Sequence, residues 1–110
     1  MEASFEKLLT GTDVNKKLSV PSAFLRHING GQGGGKAVEM VDHITGKTYH
    51  LMLQTRAGKY KKPVFQSKGW LKFVKDKGLQ VGDTIYFWKD SAEGNDGVFR
   101  IRAMFDFWSR

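Results

Sequence analysis

Apolar and polar residues alternate through much of the chain, and the alternation comes in short runs. Tyr49, Leu51 and Leu53 alternate with His50, Met52 and Gln54, and Val38 and Met40 alternate with Ala37, Glu39 and Val41. A period of two is that of a half-buried strand. Lys36 to Asp42 and the returning run after Thr45-Gly46-Lys47 therefore read as a hairpin. Ser4 to Leu9 is near-alternating and reads as a first strand, closed by a turn at Thr10-Gly11-Thr12-Asp13. Leu18-Ser19-Val20 is a short extended piece leading into Pro21, and Val64-Phe65 is another short strand. Thr84 to Lys89 and Val98 to Met104, rich in β-branched and aromatic residues, form a second hairpin across the polar loop Ser91 to Gly97.

Two segments carry helical spacing instead. Phe24, Leu25 and Ile28 share one face of a helix of two turns over Ser22 to Ile28. Trp70, Phe73 and Val74 fall at i, i+3 and i+4 behind Ser67, which predicts a helix capped by that serine and ended by Gly78 at C′. The glycine-rich stretch Asn29 to Gly35 is a loop. About seven short strands and two short helices result, without internal repeat.

With 110 residues the chain suits one domain spanning 1–110. Eight Phe, three Trp and three Tyr beside 13 Gly and two Pro favour strands joined by glycine turns. The absence of cysteine excludes disulfides, thiolate metal sites and a cysteine nucleophile, and suits a reducing compartment. No run approaches the ~20 apolar residues of a membrane span, and the N-terminus lacks a secretory layout, so no membrane association is expected.

Charge changes the picture more than composition does. The net charge is +7, yet from His43 to Lys75 there is no Asp or Glu, while Lys47, Arg56, Lys59, Lys61, Lys62, Lys68, Lys72 and Lys75 supply eight cations. Ten basic and eleven acidic residues lie elsewhere, so this third of the chain holds the whole excess. Such concentration is the footprint of a polyanion-binding surface, to be weighed against a merely solvated basic face.

Motifs for catalysis fail on inspection. Gly30 to Lys36, GGQGGGK, fits seven positions of a phosphate-cradling loop, but Ala37 replaces the hydroxyl that would hold magnesium, and the loop enters a strand rather than a helix. His27, His43 and His50 lack metal-ligand spacing, no serine sits in a nucleophile elbow, and the acids show no paired arrangement. No catalytic residue, cofactor, metal or small-molecule substrate is expected, and the chain does not read as an enzyme.

Arg56-Ala57-Gly58-Lys59-Tyr60-Lys61-Lys62 combines four cations, one aromatic and a glycine, so its backbone can approach a groove while Arg and Lys reach phosphates or guanine edges. Lys16-Lys17, beside Asn15 and Ser19, forms a second basic loop with side chains suited to base-edge hydrogen bonds. The DNA-contact candidates are therefore Asn15, Lys16, Lys17, Ser19, Arg56, Lys59, Tyr60, Lys61 and Lys62. Thr12, Lys47, Lys68 and Lys72 are weaker candidates for phosphate. Tyr60 is the sole aromatic in these arms, which disfavours a single-strand or RNA binder relying on stacking.

In order and spacing these residues resemble the plant B3 (B-three) DNA-binding domain. The opening F-E-K-L-L-T-G-T-D-V, Phe5 to Val14, is similar to the family's first strand and turn, and Leu18-Ser19-Val20-Pro21 to its second strand and helix entry. Ser67 to Phe87, S-K-G-W-L-K-F-V-K-D-K-G-L-Q-V-G-D-T-I-Y-F, is the more specific match, and the likeness runs from about Phe5 to Phe105. It implies an all-β dominated fold, a seven-stranded open β-barrel (pseudobarrel) with two short α-helices. It also implies that an N-arm, here Thr12 to Ser19, and a C-arm, here Gln54 to Val64, clamp the major groove of double-stranded DNA. Trp70, Phe73, Gly82 and Asp83 match strong family positions and are assigned to structure.

The N-arm is about two residues shorter than in several subfamilies, and the C-arm carries Lys and Tyr where seed-regulator members carry Trp, Asn and Ser. The His-Gly pair of auxin-response members is absent. The resemblance thus implies a binding mode without a target sequence. The expected role is the DNA-binding module of a plant transcriptional regulator in the nucleus. The alternative is a protein-interaction module on the same fold that has lost sequence-specific recognition.

Overall fold

The computed structural model describes residues 4–21, 24, 35–54, 63–89 and 98–106. Its strands are β1 (Ser4–Leu8), β2 (Leu18–Ser19), β3 (Gly35–Asp42), β4 (Thr48–Gln54), β5 (Val64–Phe65), β6 (Thr84–Lys89) and β7 (Val98–Met104), and its helices are α1 (Gly11–Asn15) and α2 (Ser67–Lys77). The period-two reading of β4 holds residue for residue: Tyr49, Leu51 and Leu53 are buried, and the four residues flanking them are exposed.

All seven strands join one mixed sheet in the order β1-β6-β7-β3-β4-β5-β2, a half-barrel. Every pairing is antiparallel except β3 with β7, which run parallel from Glu39↔Val98 to Asp42↔Ile101. Among the described residues β1 and β2 are the two edge strands. The inward face is filled by phenylalanine: Phe87 stacks between Phe5 and Phe99 with centroids 5.1 and 5.4 Å away, Phe65 approaches it at 5.5 Å, and Phe24 meets all three stacked rings edge-on. Each such ring fully withdrawn from water contributes about 1.5–3 kcal/mol.

α2 lies against β4, and its buried Trp70, Phe73 and Val74 are the residues whose spacing marked it. Its start differs from expectation. The N-cap is Gln66 and makes no side-chain cap, Ser67 falls inside the segment, and Lys68 and Gly69 leave helical dihedrals. Gly69 explains the kink. At φ +75° it brings the backbone so close to β4 that a Cβ would sit 2.2 Å from the His50 carbonyl oxygen, so only glycine fits. Gly78 ends the helix in the left-handed region as expected, with its N–H on Lys75 and that of Leu79 on Val74.

The turn expected at Thr10 to Asp13 is instead helical. Thr10 caps α1, its hydroxyl accepting from the Asp13 amide at 3.3 Å while the Asp13 carboxylate accepts from the Thr10 amide at 2.9 Å. This reciprocal box turns the turn-forming residues Gly11 and Asp13 into a single helical turn. The first strand ends at Leu8, one residue early, and Leu9 bonds across to Gly82 and Asp83. The helix expected over 22–28 lies outside the described residues except Phe24, whose amide donates to Pro21 at 2.9 Å. The loops expected at 29–35 and 91–97 lie outside them apart from Gly35, which begins β3.

Candidate nucleic-acid interface

Strand register, more than any single side chain, positions the two basic arms. β5 lies between β2 and β4, so Val64 pairs with Ser19 on one side and with Gln54 on the other. Ser19 ends the N-arm, and Gln54 and Val64 are the two ends of the C-arm. Three of the four arm termini therefore stand abreast at one end of the sheet, about 5 Å apart from strand to strand. Val20 donates to Pro63 at 2.9 Å, extending this join by one residue, and Gln66 bonds Gln54 and Met52 at 2.6 and 2.9 Å beneath the C-arm.

Within the N-arm, Lys16 and Lys17 both direct their amides to the Thr12 carbonyl, at 2.9 and 3.2 Å, which turns the chain sharply after α1. Asn15 stands exposed on this turn with its side-chain amide on the Gly11 carbonyl at 2.8 Å. Lys16 is exposed and Lys17 half-buried, and among the described residues neither has an ion pair. Ser19 is half-buried, and its hydroxyl accepts from the ammonium of Lys7, so its capacity is already partly used by the fold.

The arm is anchored from below by Asp13, 1% exposed. Its carboxylate takes Lys7 at 2.7 Å, the Thr10 amide and hydroxyl at 2.9 and 3.0 Å, and the Ser19 amide at 3.3 Å. Its main-chain carbonyl takes the Trp70 indole N–H at 2.7 Å. Burial alone would raise the pKa of Asp13, but the Lys7 ammonium and the Thr10 donors outweigh it and hold the carboxyl below the ordinary carboxylate value. Neither Lys7 nor Asp13 is among the contact candidates that the sequence marks. The Thr-x-x-Asp spacing of a capping box was the signal that could have found Asp13.

The weaker candidates scatter. Thr12 is exposed on α1, and Lys68 is exposed at the kinked start of α2, four residues beyond Val64. Lys72 is exposed further along α2. Lys47 sits before β4, at the end remote from Gln54, about 20 Å away by strand rise. It bonds Asp76 at 2.8 Å and lies over the Tyr49 ring, while Tyr49 also donates to Asp76 at 2.7 Å. Lys47 and then Tyr49 hold the Asp76 carboxyl below its ordinary value; burial and then Asp76 push the Tyr49 phenol up. The structure thus places Lys47 far from Gln54, the described root of the C-arm. Arg56, Lys59, Tyr60, Lys61 and Lys62 lie outside the described residues.

A family model for the B3 DNA binding domain matches residues 5–103. The chain belongs to the B3 DNA-binding domain family. This B3 domain is similar in fold to Arabidopsis FUS3 as seen in its DNA complex, with a TM-score of 0.75 and 20% identity over 92% of this chain and 95% of that one. It is also similar to the Arabidopsis transcription factor LEC2 in its DNA complex, at TM-score 0.65 and 19% identity, covering 94% of each chain. The N-terminal domain of Helicobacter pylori LlaJI.R1 shares the architecture at TM-score 0.67 and 11% identity, over 96% of this chain and 82% of that one. No curated protein matches by sequence. B3 domains are a family of DNA-binding domains and not a class of enzymes. Among the described residues of this one, no helix is long and apolar enough to cross a membrane and no cluster of His, Asp and Glu has metal-binding geometry.

Proposed function

We propose that this B3 domain grips the major groove of double-stranded DNA between its N-arm and C-arm, as the DNA-binding module of a plant transcriptional regulator acting in the nucleus. The observation that carries the reading is the pairing of Val64 with both Ser19 and Gln54, which sets the ends of the two arms side by side. FUS3 and LEC2, whose fold this chain shares, are both described in complexes with DNA, and LEC2 as a transcription factor.

The division of labour follows from side-chain chemistry. Lys16, Lys17, Lys59, Lys61 and Lys62 are compact charges that meet phosphates, with Thr12, Lys68 and Lys72 flanking them. Arg56 has the planar fork that reads the O6 and N7 edge of guanine, and Asn15 has the amide suited to adenine. Tyr60 offers a hydroxyl and an apolar ring to the groove wall. Ser19, already accepting from Lys7, contributes its own hydroxyl hydrogen.

Selection from a randomised duplex library tests the reading. Enrichment of a motif that Arg56→Ala blurs is the expected result. No retained duplex at low or high salt would reject DNA binding and leave a protein-interaction module.

A further inference from the structure

Among the described residues β1 and β2 are the two edges of the sheet, and the side chain of Lys7 reaches from one to the other. Lys7 belongs to β1, on the inward face it shares with Phe5, where a pleated strand ordinarily carries an apolar residue. Its ammonium donates to the Asp13 carboxylate at 2.7 Å, to the Ser19 carbonyl at 3.0 Å and to the Ser19 hydroxyl. An ammonium has three hydrogens to give, and each has an acceptor here. Lys7 is 21% exposed and is neutralised by a carboxylate 1% exposed, so its charge is committed within the protein.

Both acceptor residues belong to the N-arm. Asp13 completes the capping box of α1, the helix that ends in Asn15 just before Lys16 and Lys17, and Ser19 pairs with Val64, the residue that closes the C-arm. A short two-residue strand such as β2 has little hold of its own, its ladder to β5 being only Leu18↔Phe65 and Ser19↔Val64. We propose that Lys7 is a positioning residue for DNA binding: by tying the edge strand β1 to Asp13 and Ser19 it fixes the N-arm and, through Ser19 and Val64, couples it to the C-arm. Rigidity supplied this way lowers the ordering cost of binding, since the arms need not be organised by the duplex. The inference rests on the DNA-binding reading above, but its core claim concerns the free protein.

Two measurements decide it. In the DNA-free protein, Lys7→Met should speed amide hydrogen exchange at Val14 to Ser19 while amides of β3 and β4 stay protected; unchanged exchange in 14–19 overturns the proposal. In duplex binding, Lys16→Ala and Lys7→Met should be non-additive. The fold-loss from Lys16→Ala should shrink by at least about twofold in the Lys7→Met background, the low end for coupled residues. Equal fold-losses in both backgrounds mean that Lys7 acts through overall stability alone and overturn it. Lys7→Arg, which keeps the charge and donors, should restore most of the protection and guards against a Met variant that fails to fold; exchange as fast as in Lys7→Met would overturn the role of the cation. If the unaltered protein binds no duplex, the DNA reading fails while the exchange result still decides whether Lys7 orders the arm.

Discussion

The indole N–H of Trp70 donates to the main-chain carbonyl of Asp13 over 2.7 Å, although 57 residues separate them along the chain. One buried bond thus joins α2, which is packed on β4, to the helix that carries the N-arm. The largest fully buried side chain among the described residues holds a loop as well as filling the core.

Replacing that indole by a ring without a donor isolates the bond. Trp70→Phe should destabilise the domain by about 1–3 kcal/mol for the unsatisfied carbonyl, plus the packing lost with the smaller ring. Chemical denaturation followed by far-ultraviolet circular dichroism measures it, and an unchanged midpoint would remove Trp70 from the account of the arm.

Gly69 makes a sharper case. Any side chain there meets the His50 carbonyl and must also adopt a positive φ. Gly69→Ala should cost more than about 2 kcal/mol, placing it among the most damaging single changes. The thermal midpoint of the variant reads this directly; a shift below a degree would mean that α2 can retreat from β4 freely.

The acid limb of the stability curve should belong largely to Asp13 and Asp42. Burial by itself raises both carboxyls, but Lys7 with Thr10, and Lys77 with Ile44, bring them below the ordinary 3.8. A carboxylate whose folded pKa is depressed binds fewer protons folded than unfolded. Its stabilisation is therefore present above pH 3.8 and lost as pH falls through the lower folded value. Asp13→Asn should be less stable than the unaltered protein near neutrality, by on the order of 2 kcal/mol, with the gap closing below about pH 4. Denaturant midpoints across pH 2–7 test this, and a gap independent of pH would exclude the charge as its cause.

Much of this was legible in the chain because it is local. Val38 and Met40, and Tyr49, Leu51 and Leu53, announce their strands by period two; Trp70, Phe73 and Val74 announce α2 by helical spacing. α1 was not legible as a helix. Five residues containing Gly11 and Asp13 carry no period, and their conformation depends on the capping box and on Lys7, six residues away. Ser67 looked like a cap, yet the close approach of Gly69 to His50, a tertiary demand, moves the cap to Gln66. The charge asymmetry points to the C-arm and the Lys16-Lys17 pair to the N-arm, but only the order β4-β5-β2 shows that their roots adjoin, because strand order is a non-local property. Lys7 looked like one cation among many; its neutralisation by Asp13 is visible only in three dimensions.

For the C-arm the expectation separates charge from readout. Lys61→Ala with Lys62→Ala should weaken binding to every duplex and flatten its salt dependence by about two counter-ions, whereas Arg56→Ala should also narrow the difference between preferred and random sequences. Fluorescence anisotropy with both duplexes measures each effect. Affinities equal to those of the unaltered protein would take the C-arm out of the interface.

Whether the two adjoining basic arms grip the DNA backbone together is decided by the salt dependence of duplex binding by the unaltered domain. Neutralising about five phosphates predicts that log K falls against log salt with a slope of about −4 to −5. A slope near zero would contradict that grip.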